Sequence, residues 1–402
     1  MRIMRTIAVA GAGSLMIIAS LAPQASEAQI ARRVAAVRDG KARMSFAARP
    51  DICGYSNGIQ TNYSRDNNYS RSNNRSTWSD RPNDDVSYDG DCSDGPVRVV
   101  LTVRNGEVNH VKTYVGGRWK PLASGDVDVG TVPVREAVDY LFDLANSGSG
   151  KGASEAIFPT TIADSVNVTQ RLYDLGRNDA RDKDVRDQAV FWLSQQEDES
   201  AVGMLENILK TARNEDIRDK AIFGLSQHHS GKGYPILRAY AENSSAPEGL
   251  REKAIFWLGQ RQGGNADYLT GLYKRLDSQD LKDKVIFAMS QQRDDASMKW
   301  LVDLASNASE PMEMRKKALF WAGQEGGSVD RLTSMYDNMR ETEMKEQMIF
   351  VLSQRHERQA IDKLMSIAKS DPDRDMRKKA MFWLGQSHDP RVSAFLSDII
   401  TR

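Results

Sequence analysis

The residues that could do chemistry are few and scattered. Histidine stands at His110, His228, His229, His356 and His388, and cysteine only at Cys53 and Cys92. A metal centre needs three or four ligands converging on one point, and two cysteines without neighbouring histidines leave that set incomplete. His228-His229 reads as a pair of exposed turn residues. The carboxylates of Asp182/Asp184 and Asp294/Asp295 fall at predicted helix starts, where acids cap free amides and meet the positive end of the helix dipole. No serine, histidine and acid follow one another in the pattern of a nucleophilic relay. Gly150-Lys151 has the Gly-Lys of a phosphate loop, but Ala145 stands where the first glycine belongs and Gly152 replaces the hydroxyl residue that would hold magnesium. The sequence assigns no catalytic residue, no metal and no cofactor.

A different constellation does recur. Lys220, Phe223 and Gln227 return as Lys253, Phe256 and Gln260, and again as Lys284, Phe287 and Gln291. At about 100° per residue these three types share one side of a helix. Phe would supply apolar area, Gln would pair with peptide backbone and Lys would select an acidic or amphipathic peptide. The structural reading is that each Lys pairs with the acid four residues earlier, as Asp216 with Lys220 and Asp280 with Lys284, while Phe fills gaps between helices.

These residues belong to a segment repeated seven times, ending at Gln195, Gln227, Gln260, Gln291, Gln324, Gln354 and Gln386. Successive glutamines are 32, 33, 31, 33, 30 and 32 residues apart, a period that means a stack of small units. Each copy opens on an aliphatic or Met residue and a base, such as Val185-Arg186, and always carries Phe. Val185, Ala189, Trp192 and Leu193 share the apolar face of the predicted helix. Phe191 falls opposite, with Asp184, Gln188 and Gln195. The intervening stretches, such as 201–212, carry apolar residues at helical spacing and supply the partner helix. One hairpin cannot bury its apolar face alone, but a stack can. The residue after Phe alternates: Trp192, Gly224, Trp257, Ala288, Trp321, Val351, Trp383. The expectation is that a large side chain faces a small one in the next layer.

The acid–aliphatic–Arg opening followed by Ala resembles HEAT-like repeats of the short, phycobilin-lyase type over about residues 168–402. The resemblance implies a right-handed α-α superhelix, with the bases pairing acids of neighbouring repeats. The Lys-Phe-Gln stripe, facing the same side in every copy, is expected to line one concave groove. His356-Glu357 resembles one His-Glu pair of the deoxyhypusine hydroxylase class, which needs four around two irons, so that activity is not carried over. HEAT-like stacks serve as scaffolds, inhibitors, lyases and hydroxylases alike.

Ahead of the repeats, residues 1–28 read as a signal peptide. Arg2 and Arg5 precede the apolar run Thr6–Ala22, and Ser26-Glu27-Ala28 offers small cleavage residues. The chain is therefore expected to be periplasmic or secreted, with a membrane involved only if that segment stays uncleaved. In an exported chain, Cys53 and Cys92 are expected to form a disulfide. Residues 29–133 read as a β-rich module in which 55–88, rich in Asn, Ser and Asp, is a disordered loop. Its Asn-x-Ser triplets also fit a glycosylation pattern. Val97–Val103 and Glu107–Val115 flank Asn105-Gly106, a hairpin signal. Residues 134–167 read as a helix, Val134–Ala145, followed by a Gly/Ser linker.

Lys and Arg number 55 and Asp and Glu 55. This balance excludes a general nucleic-acid binder, which needs excess positive charge. The expectation is an exported repeat scaffold that binds a protein or peptide. The alternatives are an enzyme or ligand-handling protein of the lyase type, and a structural envelope spacer.

Overall fold

The computed structural model describes residues 27–50, 52–55, 60–61, 85–88, 95–261, 263–324 and 328–401. Nearly all of the expected signal segment, most of the 55–88 loop and Cys92 lie outside the described residues. The chain is mainly helical and divides into two compact units, 1–168 and 169–402. No described helix is long and apolar enough to cross a membrane.

The first unit packs helices on a sheet. After α1 (Glu27–Ala35) come β1 (Gly40–Phe46), β2 (Ile52–Tyr55), β3 (Gln60–Thr61), β4 (Val86–Ser87), β5 (Val97–Arg104), β6 (Glu107–Val115), β7 (Arg118–Trp119) and β8 (Val127–Thr131). The main sheet runs β3-β2-β6-β5-β1-β8, antiparallel except for the β1/β8 pair. The predicted hairpin forms as β5 and β6, with Asn105 and Gly106 both at positive φ (53° and 81°), the backbone that a two-residue turn between twisted strands requires. Val97, Val99, Leu101 and Val103 are all fully buried. On the other side, Val86 and Tyr114 pack with Val100, Tyr88 and Trp119. The end of the predicted disordered loop is therefore ordered: Val86 pairs with Trp119 across β4 and β7, and Lys41 forms an ion pair with Asp85. Cys53 is buried in β2.

Two features differ from the sequence reading. The basic stretch after residue 28 contains α1, whose Ile30 and Val34 are buried while Arg33 donates to the backbone carbonyls of Asp128 and Val129 (2.6 and 3.0 Å). The expected Gly/Ser linker is not a linker. After α2 (Val134–Ser147) it forms α3 (Gly150–Glu155) and α4 (Ile157–Thr161). Gly152 lies so close to β6 that a Cβ would stand 2.2 Å from the Val108 carbonyl oxygen. Small residues here permit close packing rather than flexibility, and Glu155 accepts a 2.9 Å hydrogen bond from the Val111 amide.

The second unit is a run of helical hairpins. First helices are α5 (Thr169–Arg177), α7 (Ser200–Thr211), α9 (Gly233–Glu242), α11 (Ala266–Arg275), α13 (Asp295–Ser306), α15 (Val329–Asn338) and α17 (Arg358–Ser370). Their partners are α6 (Lys183–Ser194), α8 (Glu215–Gln227), α10 (Glu248–Gln260), α12 (Gln279–Gln292), α14 (Met312–Gln324), α16 (Thr342–Ser353) and α18 (Arg374–Leu384), with α19 (Pro390–Thr401) following. Each second helix packs on its own first helix and on the second helices of adjacent hairpins. Val185, Ala189, Leu193, Leu205 and Ile208 are fully buried between the layers. Acids do cap helix starts: Asp182 accepts from the Asp184 amide at 2.9 Å and Asp294 from Ser297 at 2.7 Å.

The repeated base has a more local task than an acid–base ladder between repeats. Arg186, Arg251 and Arg315 each donate Nε to the carbonyl ten residues earlier, Gly176, Ala241 and Ala305, at 3.0–3.2 Å. They satisfy the carbonyl end of the preceding first helix. Arg186 also pairs with Asp179 in its own hairpin. Only in places does the contact reach the next copy, as where Arg315 grips Glu341 with both terminal nitrogens (2.7 and 3.1 Å) and holds that carboxyl below the usual range.

Candidate functional site

The seven Phe residues and four Trp residues of the second helices form one unbroken aromatic ladder. Phe191 stacks on Phe223 with centroids 6.3 Å apart, Phe256 on Phe287 at 5.9 Å and Phe320 on Phe350 at 6.3 Å. Between these stacks stands a Trp, meeting the preceding Phe edge-on or tilted: Phe223 with Trp257 at 5.1 Å, Phe287 with Trp321 at 5.1 Å and Phe350 with Trp383 at 5.4 Å. Each Trp also touches the Phe before it in its own helix, from Phe191–Trp192 at 5.0 Å to Phe382–Trp383 at 5.2 Å. The rings are half-buried except Phe382, which is exposed.

This placement corrects the expected role of Trp. The indoles belong to the Phe side, not to the fully buried face with Val185 and Leu193. The small residues that alternate with Trp let neighbouring helices approach. A Cβ on Gly323 would stand 2.2 Å from Val351 Cγ1, and one on Gly259 would stand 2.6 Å from the Ala288 Cβ. The glycine before Gln meets the residue after the next Phe, small against small at Gly259 and Ala288 and small against branched at Gly323 and Val351.

A second ladder, of charge, flanks the first. Lys220 pairs with Asp187 (3.2 Å), Lys253 with Asp219 (3.7 Å), Lys284 with Glu252 (3.4 Å), Lys317 with Asp283 (2.8 Å) and Lys379 with Glu346 (3.2 Å). Each Lys thus reaches the acid of the preceding second helix, not the acid four residues earlier in its own. In a stack of aligned helices, that neighbouring acid lies directly across the groove. The ladder breaks once. At α14 the acid is replaced by Lys316, and Gln347 faces it from α16 in the register of the missing Lys.

The predicted binding residues are brought together in part. Lys220, Phe223, Lys253, Phe256 and Lys284 line one open hollow of about 370 Å³ with Asp219, Glu252 and Trp257; Phe287 joins through its stack on Phe256. Gln227, Gln260 and Gln291 stand at the far ends of their helices and do not line it. Gln227 and Gln291 donate Nε2 to the preceding serines, Ser226 and Ser290, at 3.0 and 3.1 Å. The acids and Trp257 were missed as site residues, although the recurring acid-Lys pairs of Asp219-Lys220, Glu252-Lys253 and Asp283-Lys284 are visible in the sequence. A larger hollow, about 570 Å³, lies on α14, α16 and α18 between Lys316, Gln347, Phe350, Lys378, Lys379 and Phe382.

His228 is not an exposed turn residue: it is 2% accessible. Burial, and then the neighbouring His229, push its imidazole below the ordinary value, against an opposing pull from the Asp198 and Gln196 backbone. At the same place two copies later, Gln292 donates to the Gly259 carbonyl at 2.7 Å, and Arg355 donates likewise to Gly323. Among the described residues, no group of three or more His, Cys, Asp or Glu could hold a metal ion.

No protein-family model matches the chain, and no curated protein matches it. Solved structures do. Human deoxyhypusine hydroxylase in complex with glycerol is 17% identical, covering 63% of this chain and 90% of its own, at a TM-score of 0.25. The CpcE–CpcF complex of phycocyanin lyase from Nostoc is 17% identical, covering 49% of this chain and 79% of its own, at 0.23. Lipovitellin is 11% identical, covering 76% of this chain and 40% of its own, at 0.45. The likeness to HEAT-like helical repeat proteins is weak and partial, and extends to the helical-repeat character of the fold.

Proposed function

We propose that the chain binds a protein or peptide along the aromatic side of its second helices. The observation that supports this reading is the continuity of the half-exposed ladder from Trp192 to Phe382. Burying a shared core needs only the opposite faces of these helices. A row of rigid rings left partly open to water offers apolar area at low entropic cost, and aromatic residues concentrate in the energetic centres of interfaces. The flanking Lys–acid ladder would form a polar rim, which sets register more than affinity. In this reading the stack is a right-handed superhelix with the ladder on its concave side, and the chain works outside the cytoplasm after loss of residues 1–28, with Cys53 and Cys92 joined.

A photo-crosslinking residue placed in the full chain tests the reading. At exposed Gln227 or Gln260, on the ladder side, it should capture a protein from producing cells. At exposed Lys274, on first helix α11, it should not. Equal capture at all three positions would overturn the assignment of the face.

A further inference from the structure

The charge ladder changes sign along the stack. Over α6 to α12 the paired positions hold four acids, Asp187, Asp219, Glu252 and Asp283, against three lysines, with Gln188 in the remaining place. Over α14 to α18 the same positions hold four lysines, Lys316, Lys317, Lys378 and Lys379, against the single acid Glu346. Lys316 and Lys378, which stand where an acid stands elsewhere, keep exposed partners on their own helices: Glu313 at 3.2 Å and Asp375 at 3.3 Å. Pairs of this exposed i,i+3 kind are weak and yield readily to another carboxylate.

The aromatic ladder changes at the same place. Phe256 and Phe320, the counterparts of Phe382, lie stacked against a Phe of the next helix. Phe382 is 61% exposed, and among the described residues its ring meets Trp383. The 570 Å³ hollow lies between Lys316, Lys378, Lys379 and this ring.

We propose that this hollow is the anchoring subsite of the face, and that it takes an acidic peptide segment bearing an aromatic or large aliphatic side chain. The apolar side chain covers Phe382 and fills the hollow beside Phe350 and Trp383. Carboxylates on either side of it pair with Lys316 and Lys378. A peptide is favoured over a phosphate ligand by the lining itself. It contains no arginine fork, the group that recognises phosphate bidentately, and its rings Phe350, Phe382 and Trp383 match an apolar side chain, which a phosphate lacks. The proposal rests on the reading that the ladder side binds peptide, and it places the anchor at α14–α18 rather than in the central copies.

Fluorescence anisotropy on the full chain tests it, with labelled peptides that alternate Glu and Phe, and controls carrying Lys for Glu or Ser for Phe. The Glu/Phe peptide should bind saturably and both controls should bind at least about tenfold more weakly. Lys316→Glu combined with Lys378→Glu, and separately Phe382→Ser, should each weaken binding about tenfold with an unchanged circular-dichroism melt. If Lys253→Glu abolishes binding while the α14–α18 variants leave it intact, the subsite is wrong and the ladder reading stands. If variants at neither hollow change it, both are wrong. Competition by inorganic phosphate, or equal binding to phosphatidylglycerol vesicles lost in the same variants, would reassign the subsite to phosphate. No saturable peptide binding up to about 1 mM would overturn the proposal, while the crosslinking result would still decide the face.

Discussion

Lys317 of α14 places its ammonium 2.8 Å from the carboxylate of Asp283 on α12. The two residues are 34 positions apart in sequence and belong to adjacent repeats, so the pair exists only because the hairpins stack in register. Four further pairs of the same kind tie neighbouring second helices. Charge is thereby spent on register between copies, and the aromatic row beside it is kept at constant spacing.

Exchanging the two charges separates register from recognition. Lys317→Asp alone sets acid against acid and should cost a few tenths to about 1 kcal/mol, because both groups are about a third exposed and screened. Adding Asp283→Lys should restore the melting temperature. The loss in the single variant should shrink in high salt. A melt of the double variant no better than the single one would mean the pair does not fix the helices.

Gly323→Ala should destabilise the stack by about 1–3 kcal/mol, because the new methyl meets Val351 Cγ1 in a packed contact. Val351→Ala in the same chain should recover most of the loss. Thermal melts of the three variants read the outcome, and equal stability of Gly323→Ala and wild type would refute the close approach of α14 and α16.

Trp257→Ala should cost about 1–3 kcal/mol, less than the about 3–5 of a fully buried aromatic, since the indole is half-buried on the ladder side. The loss should fall on neighbouring hairpins rather than on the whole chain, which hydrogen exchange resolves copy by copy. Comparing its emission with that of a Trp257→Phe chain should reveal an indole intermediate between buried and exposed.

His228 is held below its ordinary value by burial, so the folded chain binds its proton later than the unfolded chain does. The associated stability is complete above the unfolded value of about 6.5 and drains away as pH falls below it toward the folded value. His228→Gln places there the residue that serves α12 as Gln292, and should flatten the decline in melting temperature as pH falls below about 6.5. An unchanged pH profile would mean that other groups set it.

Cys53, buried in β2, should appear linked to Cys92 in non-reduced peptide maps of exported protein. Reduction should destabilise the first unit by about 2–4 kcal/mol. Two free thiols in exported material would exclude the bond.

The sequence alone determined the repeat, the alternation of two helices within it, the hairpin at Asn105-Gly106 and the acidic helix caps. Each follows from residue types within about one turn or one period, where local geometry decides. It also put Lys and Phe on one side of the helix, and Lys220, Phe223, Lys253, Phe256 and Lys284 do line one hollow, without the glutamines. It could not determine partners across copies. Within one helix, Asp280 is the natural mate of Lys284, but the stack brings Glu252 nearer. The wheel set Trp257 among the core residues, since its angle lies at the edge of the apolar arc; packing against Phe223 turned it to the ladder side. The glycines of α3 read as slack until β6 lay against them. In each case the deciding contact joins residues distant in sequence, and only tertiary structure can say which of two physically acceptable neighbours is closer.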